Sequence, residues 1–312
     1  MNAEAADVDL TATVVKPSEA TSGRLDRSLP YALASLFAVG YTVLSLSRYQ
    51  RFATPSWDNA IFEQAIRAYA HFQAPIVPIK GPGYNILGDH FSPIIALVAP
   101  FYRLFPHAQT LLVAQAVLVA LSIVPIARVA IQKIGLRSGV AIAAGYGLSF
   151  GLGSAIATDF HAIAFATVLI AFAGAAYVER RWSAVVCWSL PLLLVKEDLG
   201  LTVAVIGIAV TLAGGRRAGV WLIAAGLIGF LLIVLVIIPA FNPSSAYEYW
   251  ANAGGSGTGP GLLATFFTGW QTKGLTLLLT FGITGFLALR SPWVLVTIPT
   301  LGWRFVGDRT VY

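Results

Sequence analysis

The sequence predicts an all-α, multi-pass bundle of transmembrane helices with about eight or nine spans. Three observations carry that prediction. The 312 residues are 57% hydrophobic and only 11% charged, whereas a soluble domain carries about 25% charged residues. Long apolar runs recur along the chain, separated by short loops. Charge is also segregated between the ends of those runs. Threading them across a bilayer puts His71, His90, His107, His161 and every carboxylate after residue 30 except Glu179 on one face, with the basic pairs on the other. The excess of 20 Lys+Arg over 14 Asp+Glu therefore reads as a positive-inside bias facing anionic lipid headgroups, and no nucleic-acid partner is expected. The single cysteine, Cys187, excludes an intramolecular disulfide and a cysteine-type zinc site, and its apolar surroundings predict a small buried side chain.

Residues 1–29 are polar and carry five acids. They lack the basic start and short apolar core of a secretory signal and read as a disordered cytoplasmic tail. The membrane domain then runs from 30 to 312. Its first span is 30–47, and Arg24 and Arg27 before it place the N-terminus inside. An outer loop follows, residues 48–91, too charged to face lipid. Within it, residues 57–72 have helical periodicity: Ile61, Ala65, Ala68 and Phe72 share a stripe, with Phe62, Ile66 and Tyr69 beside it. This predicts an amphipathic helix lying on the membrane surface. Gly81-Pro82-Gly83 breaks the chain after it. Residues 92–105 are short and punctuated by Pro93, Pro100 and Pro106, which suits an interfacial or re-entrant helix.

Residues 108–131 cross inward to Arg128, Lys133 and Arg137, 138–158 return to Asp159, and 160–178 go in to Glu179-Arg180-Arg181. The runs 182–195 and 199–213 are each short for a span, and Lys196-Glu197-Asp198 separates them. That spacing predicts a charged triplet sunk below the outer surface in a polar cavity. Residues 218–240 span again, 241–260 form an outer loop rich in Gly, Ser, Asn and Tyr, 273–289 return to Arg290, and 292–303 begin a last outward segment. The Gly-rich stretch 253–261 lacks the Lys-Ser/Thr ending of a Walker-type phosphate loop. Tyr247, Glu248, Tyr249, Trp250, Arg103 and Lys80 read as interfacial anchors.

Four constellations on the acidic face are candidates for chemistry. Asp58, in Trp57-Asp58-Asn59, is either the N-cap of the amphipathic helix or a carboxylate base that takes a proton from an attacking hydroxyl. Glu63 and Gln64 follow one to two turns later; Glu63 is a solvated face residue or part of the same site. In Gly88-Asp89-His90-Phe91-Ser92-Pro93, Asp89 either caps the next helix or joins His90 in binding a divalent metal or a phosphate. Asp159-Phe160-His161 supplies a second Asp-plus-His with no Gly or Pro to make it an ordinary turn. Hard oxygen ligands favour Mg or Mn, and histidine shifts the balance toward Mn or Zn. In the triplet, Lys196 is placed to offset a lipid-linked phosphate, while Glu197 or Asp198 binds metal or acceptor.

The runs Asp58-Asn59-Ala60-Ile61-Phe62-Glu63-Gln64, Gly88-Asp89-His90-Phe91-Ser92-Pro93, Asp159-Phe160-His161 and Lys196-Glu197-Asp198, in this order, resemble the bacterial polytopic proteins of the domain of unknown function 2079 family across most of residues 35–305. That family is similar in organisation to the C-type glycosyltransferases (GT-C), multi-spanning enzymes that use polyprenyl-phosphate sugars and carry an acid in the first outer loop. The resemblance implies a bacterial cytoplasmic-membrane protein that moves a sugar, with inversion, from a polyprenyl-phosphate donor to an extracytoplasmic acceptor. Asp58 stands where the first-loop acid stands. In that reading Asp89, His90, Asp159 and His161 bind a divalent metal or the donor phosphate, and Glu63, Gln64, Lys196, Glu197 and Asp198 bind substrate. Family members continue further, so this chain is expected to be truncated at its C-terminus. Two other classes compete. A transporter or flippase predicts acids spread through the bilayer depth, and a non-catalytic scaffold predicts that Asp58, Asp89 and Asp159 are dispensable.

Overall fold

The structure, a computed structural model, describes residues 19–54, 57–245 and 268–306. The Gly-rich stretch, the anchors Tyr247 to Trp250, most of the 241–260 loop and the chain end at Tyr312 lie outside these residues, as does the tail as far as residue 18. Among the described residues the elements are all helices, and an isolated bridge joins Ile76 and Asn85. A chain this apolar satisfies its backbone polar groups within helices because hydrocarbon offers no partner for them.

Helix α1 spans Glu19–Gln50, so it begins inside the segment read as tail. Next come α2 (Asp58–Ala70), a 3₁₀ turn and short α3 over Pro93–Val98 and Ala99–Leu104, α4 (Ala108–Leu121), α5 (Ile123–Ile134), α6 (Leu136–Gly147) and α7 (Phe150–Ala157). Then follow α8 (Ala164–Val178), α9 (Trp182–Ser189), α10 (Leu199–Leu212), α11 (Arg216–Leu232), α12 (Ile238–Phe241), α13 (Trp270–Gly282) and α14 (Ile298–Val306). Among the described residues, four helical stretches are long and apolar enough to cross a bilayer: Arg27–Gln50, Ala108–Ile134, Leu136–Ala157 and Arg216–Phe241. Pro93–Leu104, Ala164–Val178, Trp182–Leu194 and Leu199–Leu212 are apolar but shorter. Exposed large apolar side chains cover α1 (Tyr31, Leu36, Val39, Val43) and α11 (Val220, Trp221, Ile228, Leu231). A surface of that kind is made for lipid.

Small residues set the packing. The buried side of α11 is Gly219, Leu222 and Gly226, which faces α10. A Cβ on Gly226 would sit 2.5 Å from the backbone of Ala204 and Gly200. The two helices therefore touch backbone to backbone, the usual solution where no hydrophobic effect drives helix association. The basic end is held by Glu179, whose carboxylate accepts from Arg128 at 3.0 and 3.2 Å and from Arg181 Nε at 2.5 Å. This is the one acid the sequence places among the basic pairs.

Three expectations are corrected. The apolar face of α2 centres on Phe62, Ala65 and Ile66, with Asn59 and Ala70, while Phe72 is exposed. That face packs on Pro93–Leu104 and α4, so protein covers it. Cys187 is exposed on α9. The crossing expected over 273–289 is broken after Gly282, where Gly285 and Phe286 take positive φ of 57° and 61° and the helix cannot continue.

Candidate functional site

The segment joining α7 to α8 meets the start of α2. Asp58 is the first helical residue of α2, behind an N-cap position held by Trp57 with no side-chain cap. The capping reading of Asp58 therefore gives way: its Oδ2 lies 2.7 Å from His161 Nε2. Capping comes instead from another part of the chain. The Asp159 carboxylate, fully buried, accepts from the Asn59 N–H at 3.4 Å, an acid at the positive end of a helix.

His161 is held on both ring nitrogens. Its Nδ1 lies 2.8 Å from the Asp159 carbonyl, which only accepts, so the proton is on Nδ1. Nε2 then faces a carboxylate, so the pair needs a second proton between Nε2 and Asp58. Burial lowers the His161 pKa, but the Asp58 hydrogen bond, the Asp159 carbonyl and the two nearby carboxylate charges more than offset it, and the net direction is upward. His161 and Asp58 thus form an imidazolium–carboxylate pair with about 40% of each side chain exposed (37% and 42%).

Gln115 holds this turn in place, and the sequence reading missed it. From the buried side of α4, its Nε2 donates to the carbonyls of Ala155 and Asp159 at 2.9 and 3.1 Å, and its Oε1 accepts from His161 N–H at 2.8 Å. The signal was present: Gln115 is the only polar side chain between Leu111 and Leu121. Amide groups in such runs need partners. Phe160, between the two polar residues, is fully buried and packs edge-on against Phe62.

A second group forms around Glu197, 1% exposed. Its Oε1 accepts from His90 Nδ1 at 2.9 Å and its Oε2 from Phe91 N–H at 3.2 Å. Burial raises its pKa, yet His90 and Lys196 bring it below the usual carboxylate value. The contact with His90 is a carboxylate–histidine arrangement, which orients the imidazole ring. Gly88 permits this: a Cβ there would sit 2.4 Å from the Phe241 backbone, and Asn242 Nδ2 donates to its carbonyl at 2.8 Å. Asp89 is buried and paired with Lys80. It follows the turn Ile86–Gly88 as its C-cap. Lys196 Nζ lies 3.7 Å from Asp198 Oδ1. Burial raises the Asp198 pKa, Lys196 opposes the rise and Glu197 adds to it.

Glu63 and Gln64 are engaged in holding the outer segment. Tyr102 donates to Glu63 Oε1 at 2.8 Å, Arg67 lies 3.6 Å from it, and Gln64 Oε1 accepts from Ile79 N–H at 3.1 Å. The four expected metal ligands do not gather as one set. Asp89 pairs with Lys80, His90 with Glu197, Asp159 with Asn59, and His161 with Asp58. Among the described residues no three His, Cys, Asp or Glu form a group that could hold a metal ion. The two polar groups do share a floor: Phe62 and Phe160 from two of the motif segments, and Ile94, Ile95, Val195 and Leu199 adjoining the other two, belong to one buried core.

Those motif segments belong to a recognised family. The family described as Predicted membrane protein (DUF2079) matches the chain over residues 48–312. The chain belongs to the DUF2079 family. No curated protein and no solved structure matches it. Asp58, His90, Asp159, His161 and Glu197 all fall within the matched DUF2079 region.

Proposed function

We propose that this DUF2079 protein is a glycosyltransferase of the bacterial cytoplasmic membrane, with its N-terminus inside, about eight or nine crossings, and a site on the outer face. It moves a sugar from a polyprenyl-phosphate donor to an acceptor hydroxyl. The observation that carries the reading is the Asp58–His161 pair, 2.7 Å apart and partly exposed, on a rigid mount of Gln115 and the Asp159 carbonyl. The lipid-linked sugar comes from the likeness in organisation to GT-C enzymes.

The acceptor oxygen attacks the anomeric carbon on the face opposite the phosphate. The bond from that carbon to the phosphate oxygen breaks, and the phosphate leaves with the electron pair. The acceptor's proton passes to Asp58. His161 keeps Asp58 ionised beforehand and leaves a net positive pair beside the departing anion afterwards. Lys196, one-third exposed, offsets the phosphate charge. The pairing of acids and histidines between the motif segments, with only Glu179 at the basic end, supports an enzyme over a transporter.

The test replaces Asp58 by Asn and measures surface glycans alongside the amount of protein in the membrane. Loss of glycan at unchanged protein level is expected. Glycans at the parental level would remove Asp58 from the mechanism.

A further inference from the structure

A cavity of about 470 Å³ opens at the basic end of the bundle, where the start of α9 meets the turn from α10 into α11. Trp182 and Ser183 line one side of it, and Arg216, Arg217 and Trp221 the other. Ligand clefts span about 300–1,000 Å³, so its size suits a small polar group. Glycine makes the turn tight. Gly214 takes φ of 99°, in the left-handed region, and a Cβ on Gly215 would come 2.8 Å from the Trp182 ring and 2.7 Å from Val210. The Trp182 indole therefore lies directly on the turn. Tyr177 meets it edge-on with ring centroids 6.0 Å apart, so this wall of the cavity is held in place.

Charge at the cavity is unbalanced. Glu179, the acid at the basic end, is already engaged by Arg128 and Arg181. Arg216 and Arg217 are exposed, and among the described residues neither makes an ion pair. Arg217 and Trp221 stand four residues apart on α11 and so share a face. Trp221 is 67% exposed and belongs to the apolar surface that α11 turns outward, as does Ile228 two turns further on. The span-length stretch Arg216–Phe241 begins with these two arginines. Its cations therefore mark the edge of the hydrocarbon, and Trp221 joins the cavity to the lipid-facing surface beyond. A soluble anion would meet the arginines and leave the tryptophan face unused. An amphiphile with an anionic head uses both.

We infer that this cavity binds the headgroup of an anionic glycerophospholipid, one lipid per chain, in the leaflet at the basic end. Arg216 and Arg217 donate to the phosphate-diester oxygens, a match for the planar guanidinium fork. The Ser183 hydroxyl donates to the headgroup from across the cavity. Trp182 and Trp221 lie at the level of the glycerol, where indole is favoured, and an acyl chain follows the stripe from Trp221 to Ile228. Basic pockets between helices hold anionic headgroups in this way. The site is independent of the transfer reading above.

The test uses the full chain in phosphatidylcholine vesicles with a trace of phosphatidylglycerol that carries a photoactivatable group on its headgroup. Label is expected on residues 182–186 and 214–221, and it should saturate. Excess unlabelled phosphatidylglycerol should compete, and inorganic phosphate should not. Arg216→Gln and Arg217→Gln should each weaken labelling about fivefold, the effect of ~1 kcal/mol for one basic side chain beside anionic lipid. Ser183→Trp fills the cavity from an exposed position and should weaken it at least as much. Arg137→Gln removes an equal charge from the same end, outside the cavity, and should leave this labelling unchanged. An equal loss in Arg137→Gln, or label spread evenly over the basic end, would overturn the inference by showing diffuse attraction only. Competition by inorganic phosphate as strong as by phosphatidylglycerol would overturn it in favour of a free anion.

Discussion

Replacing Glu197 probes the most deeply buried carboxylate of the site. It is 1% exposed and accepts two hydrogen bonds, from His90 Nδ1 and the Phe91 amide. Glu197→Ala leaves both half-buried donors without this acceptor. Removing one partner of a pair with a buried carboxylate costs about 3–5 kcal/mol, on the order of a hundredfold to several thousandfold in the folding equilibrium. Glu197→Gln keeps one acceptor oxygen and turns an amide toward the other donor, so one bond is lost, at about 1–3 kcal/mol. A double-mutant cycle with His90→Ala isolates the pair, and a charge-assisted bond predicts a coupling of about 1.5–3 kcal/mol. The assay is reversible denaturant unfolding in micelles. The sign with pH is also set. The folded-state pKa of Glu197 lies below its ordinary value, so the stabilisation is present above that ordinary value, about 4.3, and is lost as pH falls through the lowered one. A coupling under about 0.5 kcal/mol at neutral pH would refute the pairing, since that is the additivity error of independent sites.

The remaining predictions concern the mount, the packing and the histidine. Gln115→Leu leaves the Ala155 and Asp159 carbonyls and the His161 amide without their partner; it should cost about 2–4 kcal/mol and speed hydrogen exchange at His161 more than at α10 amides. Gly226→Ala forces a Cβ to 2.5 Å from the backbone of α10 and should destabilise by about 1–3 kcal/mol, read as a lower unfolding midpoint. The folded-state pKa of His161 is raised, so its contribution is full below about 6.5 and fades as pH rises through the raised value. His161→Phe should therefore lose stability relative to the parent most at low pH, and the gap should narrow as pH rises; a gap that widens would reverse the assignment.

Most of the architecture was written in composition and periodicity. Stretches such as Ala108–Ile134 and Arg216–Phe241 announce themselves because a bilayer forces apolar length and internal hydrogen bonding on every residue that enters it. The motif residues were legible for a related reason: Asp159 and Glu197 stand out because charge is rare in such a chain. Their partners were not legible. Asp58 with His161 and His90 with Glu197 lie about a hundred residues apart in sequence (103 and 107), and no spacing rule reaches that far.

The sequence by itself determined that the chain enters a membrane, where its helices run, and which ionisable side chains would have to justify their cost. Only the tertiary structure decided the pairings. It split the expected metal set into separate partnerships, turned Asp58 from cap to partner of His161, and brought Gln115 from a neighbouring helix to hold them. The physical reason is that desolvation acts on each residue alone and shows in local sequence, whereas a hydrogen bond needs two groups that meet only when the helices pack.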